Sequence, residues 1–138
     1  YPEKVREMQE KAAGVGFEFA DVNDAHSKVR EEYGELVDAL QQLHAAEGED
    51  AGRCRERATE ELGDLLFAIV KWARFEGLNA DDALTGANRK FQRRFSYVET
   101  KAQESGEPLS EMSLEQMVTL WNEAKVAETK CKVSDREA

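Results

Sequence analysis

The stretch EELGDLLFAIVKWAR, Glu60 to Arg74, decides how this chain is read. Counting from Ala58, the apolar residues Leu62, Leu65, Leu66, Ile69, Val70, Trp72 and Ala73 recur at helical spacing. They sweep so wide an arc that the spacing predicts a helix buried on more than one side. The opening of the stretch, EELGDL, is costly for a helix interior, because it sets three acids and a glycine beside apolar residues. An echo of it, EEYGEL, runs from Glu31 to Leu36.

Outward from this stretch the chain keeps reading as helix. From about Asp24, read as an N-cap, Val29, Tyr33, Leu36, Val37, Leu40 and Leu43 mark a long helix to about Ala46. GEDAG, Gly48 to Gly52, interrupts the pattern. Before it, residues 3–13 form a charged, weakly amphipathic helix stopped by Gly14 and Gly16, and GFEFADV reads as a loop carrying Phe17 and Phe19. After it, the central helix ends near Gly77. Asn79 with Asp82 resembles a capping box that opens a fourth helix through Ala83, Leu84, Ala87, Phe91, Phe95 and Val98 towards Glu104, closed by ESGEP. Ser113 with Gln116 opens a short fifth helix bearing Leu114, Met117, Val118 and Trp121. No alternating β-branched run marks a strand. The expected fold class is all-α, a bundle of four to five helices with the second, third and fourth as its body. Residues 1–127 are expected to form the domain and 128–138, which lack periodicity, a frayed, disordered tail.

Composition narrows the function. A chain of 138 residues with 35% charged and 41% apolar residues suits one soluble domain. No run approaches the roughly 20 apolar residues that span a bilayer, and no signal peptide is visible, so no membrane partner and a cytoplasmic location are expected. The net charge of -10 repels nucleic-acid polymers and anionic lipid, so a phosphate-bearing ligand needs bound cations or clustered bases. Cys54 and Cys131 read as reduced thiols. Tyr1 is not an initiator Met, which leaves room for an upstream domain.

Residues three apart on a helix share a face, so Glu32 pairs with Glu35, and Glu61 with Asp64, each at the margin of an apolar stripe. Antiparallel packing of the two helices would bring the margins together. Bare carboxylates there would repel one another, whereas a hard divalent cation, Mg²⁺ or Mn²⁺, is satisfied by an all-oxygen ligand set. The absence of His and Cys from the pattern disfavours zinc, and neither His26 nor His44 completes a Glu-x-x-His element. Gly34 and Gly63 would permit close approach beside the acids. The bland alternative, two solvated acidic faces, is weakened because both pairs carry a preceding Glu (Glu31, Glu60) and a glycine at the same place.

Carboxylate-held Mg²⁺ commonly serves phosphate chemistry, and NRKFQRRF, Asn88 to Phe95, supplies bases to match. Lys90 and Arg94 stand one turn apart, with Phe91 and Phe95 directed to the core. An ordinary solvated face is the alternative for the bases. Asn88, on the side of the two phenylalanines, could bond either a neighbouring helix or a ligand.

In KVREEYGEL, EELGDLLFAIVKWAR and ANRKFQRRFSYVE, taken in order, the chain resembles the MazG-like nucleoside triphosphate pyrophosphohydrolases, in the all-α NTP pyrophosphatase group that includes the dimeric dUTPases. The resemblance covers roughly Gly16 to Ala124 and is greatest to the catalytic C-terminal half of the two-domain members. It implies Mg²⁺-dependent hydrolysis of a nucleoside triphosphate between the α and β phosphates, giving a monophosphate and pyrophosphate. It implies that Glu32, Glu35, Glu61 and Asp64 hold the metal with Glu31 and Glu60 assisting, and that Lys28, Lys90, Arg94 and Trp121 handle substrate. A homodimer or higher homo-oligomer whose paired helices build the site is implied too. Two departures stand out: the linker around GEDAGRCRER looks longer, and Phe19 occupies a place where Trp is common. Other readings remain for single residues. Lys28 could instead form an intrahelical ion pair with Glu32, Trp121 could pack in the core, and Phe17 and Phe19 could anchor their loop. For the whole chain the alternative is a non-catalytic helical module that binds metal or nucleotide.

Overall fold

In the computed structural model residues 2–17 and 22–137 are described, with side chains described except at 22 and 130–137. The helices are α1 (Pro2–Gly14), α2 (Val22–Ala45), α3 (Glu49–Phe75), α4 (Ala80–Ser105) and α5 (Leu114–Glu137), with a 3₁₀ turn at Leu109–Glu111. No strand occurs among the described residues, so the fold is all-α as the periodicity predicts.

Local chemistry sets most boundaries. Gly77, at φ 73°, closes α3: its N–H reaches the Arg74 carbonyl at 3.1 Å and the next N–H, of Leu78, reaches Ala73 at 2.8 Å. That left-handed turn suits glycine because it has no Cβ to clash. The same pair of bonds ends α1 and α4. Asn79 Oδ1 accepts from the Asp82 N–H at 3.1 Å at the start of α4. Ser113 and Gln116 form a reciprocal capping box, at 2.9 and 3.1 Å, at the start of α5.

Three boundaries differ from the sequence reading. Helix α2 begins at Val22, so Asp24 lies in its first turn rather than at its cap. Helix α3 begins at Glu49, so Gly52 is inside it and the break shrinks to the turn ending at Gly48, at φ 62°. Glu49 and Asp50 then occupy the first turn, where exposed N–H groups favour negative charge. The backbone of α5 is helical to Glu137, through the segment expected to fray from Glu128.

The chain divides into two compact units, residues 1–83 and 84–138. Helix α1, rather than the body of α4, belongs with the α2–α3 pair. In the first unit α2 and α3 pack antiparallel: His26 stacks on Trp72 at 4.8 Å, and Leu36, Leu40 and Leu43 line a groove with Leu62, Ala58 and Arg55. Buried Ala25, Ala39, Ala58 and Ala68 keep side chains small between these helices. Gln9 of α1 is buried and donates to the Phe67 carbonyl of α3 at 3.0 Å.

Helix α3 packs against both α2 and α1, as its wide apolar arc predicts, yet part of that arc stays uncovered. Leu62, Leu66, Phe67 and Ile69 remain 45%, 54%, 43% and 41% exposed. In the second unit the core holds Val98, Ala102 and Ala124, whereas Phe91 and Phe95, expected in the core, stay exposed.

Candidate metal centre and phosphate-binding residues

The antiparallel packing of α2 and α3 sets the two acid pairs face to face. One carboxylate oxygen each from Glu32, Glu61 and Asp64 lies within 4.8 Å of the others. Glu35 joins them: hydrogen bonding to Glu32 is the main cause of a raised pKa, with the Glu32 charge, desolvation and then Glu61 adding to it. Three of the four acids expected to meet thus lie together, and Glu35 stands close enough to Glu32 and Glu61 to feel their charges. Glu60 is exposed, and neither Glu60 nor Glu31 belongs to the cluster among the described residues.

Glu32 is 6% exposed. Its Oε1 receives Lys28 Nζ at 2.9 Å, and the same ammonium reaches Glu31 Oε2 at 3.3 Å. The hydrogen bond to Glu32 is the largest cause of a raised Lys28 pKa, with desolvation opposing it. Lys28 thus makes the intrahelical ion pair that was the alternative to substrate contact. The other oxygen of Glu32 and the Oε2 of Glu61 are buried without a hydrogen-bond partner. Once ionised, carboxylates only accept, so the clustered acids cannot then satisfy one another. Two orphaned acceptors facing an all-oxygen cluster are the donor set a hard cation completes. Opposite ligands of such an ion stand about 4–5 Å apart, so the observed spread closes onto one with small side-chain rotations.

Close approach does not explain the glycines within this chain. A Cβ at Gly34 or Gly63 would meet nothing within 4 Å.

The remaining site residues fall in the second unit. Asn88 and Lys90 are exposed on α4, and among the described residues neither is bonded to a neighbouring helix. Arg94 donates from Nε to Glu128 Oε2 at 3.1 Å, and its guanidinium lies 5.8 Å from the centre of the Trp121 ring. Trp121 also packs on Phe91, at 5.3 Å between ring centres. Glu128 was absent from the sequence reading. The signal was there, since seven residues from Trp121 is two helical turns and the same face. In the first unit, Phe17 is 74% exposed with Lys71 over its ring at 5.6 Å, so it is not a buried anchor. Phe19 and the Cys131 side chain lie outside what is described, and Cys54 is a free thiol.

A sequence profile of the MazG nucleotide pyrophosphohydrolase domain matches residues 20–99. The chain belongs to this family. The match contains the four clustered acids, Lys28, Asn88, Lys90 and Arg94, and leaves out Trp121 and Glu128. Among relatives, the nucleoside triphosphate pyrophosphohydrolase/pyrophosphatase MazG of Thermotoga maritima is 34% identical over 120 residues, 87% of this chain and 42% of that protein. The nucleoside triphosphate pyrophosphohydrolase of Escherichia coli K12 is 34% identical over 122 residues, 88% of this chain and 43% of that protein. A shorter match, 56% identical over 68 residues, covers 49% of this chain and 14% of the "Uncharacterized protein YabN" of Bacillus subtilis. The chain therefore spans less than half the length of the MazG relatives it matches. Among the described residues no helix is long and apolar enough to cross a membrane.

Proposed function

We propose that this MazG domain hydrolyses nucleoside triphosphates between the α and β phosphates, releasing a nucleoside monophosphate and pyrophosphate with Mg²⁺ as the cation, Mn²⁺ serving in its place. The observation that carries the reading is the convergence of Glu32, Glu61 and Asp64, with Glu35 beside them and two buried, unpartnered oxygens, in a family named for this chemistry. Glu32, Glu35, Glu61 and Asp64 would hold the cation, and Glu31 and Glu60 would support them from the exposed side. When bound, the cation supplies neutralisation of phosphate charge and activation of water.

The chain's own groups account for the rest. A carboxylate of the cluster, with Glu35 suited by its raised pKa, orients a water towards the α phosphorus and takes its proton. The bond from the α phosphorus to the bridging oxygen breaks, and the electron pair leaves with pyrophosphate. Lys90 and Arg94 bind the polyphosphate and offset charge on the leaving group, with the flat Arg fork matched to phosphate oxygens. Lys28 holds Glu32. Trp121 lends its ring face to the Arg94 guanidinium and Asn88 offers an exposed amide to the substrate. We further propose a cytoplasmic homodimer or higher homo-oligomer, supported by the exposed apolar residues of α3.

The test is product analysis by ³¹P NMR with Mg²⁺ and a panel of triphosphates. Monophosphate plus pyrophosphate is expected, with loss of at least about a hundredfold in kcat for Glu61→Gln. Diphosphate plus orthophosphate would refute the cleavage site, and binding without turnover would favour the non-catalytic module.

A further inference from the structure

Glu128 lies outside the matched family segment and holds the most buried base of the second unit among the described residues. Arg94 is 17% exposed at its side chain and is fixed on two sides, by Glu128 Oε2 on Nε and by the face of Trp121. The second oxygen of Glu128 faces Arg93 Nε at 3.5 Å. Desolvation alone would raise the Glu128 pKa, but the Arg94 and Arg93 guanidiniums outweigh it and keep the carboxyl below its ordinary range.

The choice of nitrogen matters. A guanidinium can make paired fork contacts through the edge formed by Nε and one terminal amino group or through the edge formed by the two terminal amino groups. Glu128 takes Nε, and among the described residues no bond is made by Nη1 or Nη2 of Arg94. The edge formed by the two terminal amino groups is therefore left open for phosphate while rotation about the side chain is restrained.

We infer that Glu128 is a positioning residue for Arg94, aiming its two terminal amino groups at the substrate's polyphosphate. The inference rests on the proposed role of Arg94. Its physical content is preorganisation: a long side chain held in its working orientation loses less freedom when phosphate arrives.

Steady-state kinetics of the full chain with Mg²⁺, on whichever canonical triphosphate it turns over fastest, tests this. Glu128→Ala is expected to lower kcat/KM roughly tenfold, and Glu128→Gln, which keeps an oxygen for Nε–H, to retain most of the activity. Arg94→Ala should cost more, and adding Glu128→Ala to it should cost nothing further, the mark of one coupled unit. Unchanged or tighter substrate use by Glu128→Ala, with Arg94→Ala impaired, would overturn the positioning role and leave that of Arg94. Wild-type kinetics in Arg94→Ala would overturn both, and fully additive losses would overturn the coupling. If Glu128→Ala does not fold, Glu128→Asp, which keeps the charge and shortens the reach, decides the matter: a lowered kcat/KM is expected, and full retention would refute positioning.

Discussion

Glu35 shows what neighbouring acids do to a single residue. Its folded pKa is raised, so between the ordinary glutamate value and the raised one the native state holds more protons than the unfolded chain. The contribution of Glu35 to the stability of metal-free protein is lost as pH rises through that window. With chelator present, Glu35→Gln should therefore gain over wild type as pH climbs through the window, and hold a constant advantage above it; denaturant midpoints at successive pH values read this, and a difference independent of pH would contradict it. Glu61→Gln removes one buried orphan and brings an N–H donor beside Glu32. It should raise metal-free stability by about 1 kcal/mol while abolishing stabilisation by Mg²⁺, both visible in thermal melts. The acids themselves were legible because i, i+3 spacing on two helices is a local pattern. Lys28 was ambiguous in sequence, since an ammonium four residues before Glu32 can reach either that carboxylate or a phosphate, and in the fold it stands 2.9 Å from the carboxylate.

Helices were legible where side chains act on their own neighbourhood. Asn79 and Ser113 cap as their spacing predicts, because a cap needs only the next turn. The start of α3 was misplaced because one left-handed residue, Gly48, completes the break, and the acids after it favour a helix start that hydrophobic periodicity does not register. The full length of α5 escaped for a related reason: its backbone stays helical to Glu137 after the apolar stripe has ended. Gly63 offers a test on α3. With open space where a Cβ would stand, Gly63→Ala should stabilise the isolated chain by about 1 kcal/mol through helix propensity. A denaturant titration checks that, and destabilisation would show that the space is needed. A stabilised variant with impaired turnover would place substrate or a second subunit against α3.

At the scale of the molecule, 138 residues leave much apolar surface uncovered. Leu62, Leu66, Phe67 and Ile69 on α3, with Tyr33 on α2 at 61% exposed, are the residues a partner copy would cover. Leu66→Glu should weaken self-association at least tenfold, read by sedimentation velocity across a dilution series, because burying one such side chain contributes about 2 kcal/mol. Sequence periodicity announced the width of this apolar arc but could not say whether the same chain or another covers it. The central claim is that two acid pairs on adjacent helices form one cation site. Calorimetric titration of Mg²⁺ into nucleotide-free, chelator-treated protein tests it most directly: saturable binding is expected in wild type and should be absent in both Glu32→Gln and Glu61→Gln. No binding in wild type, or binding unchanged in the two variants, would contradict the claim.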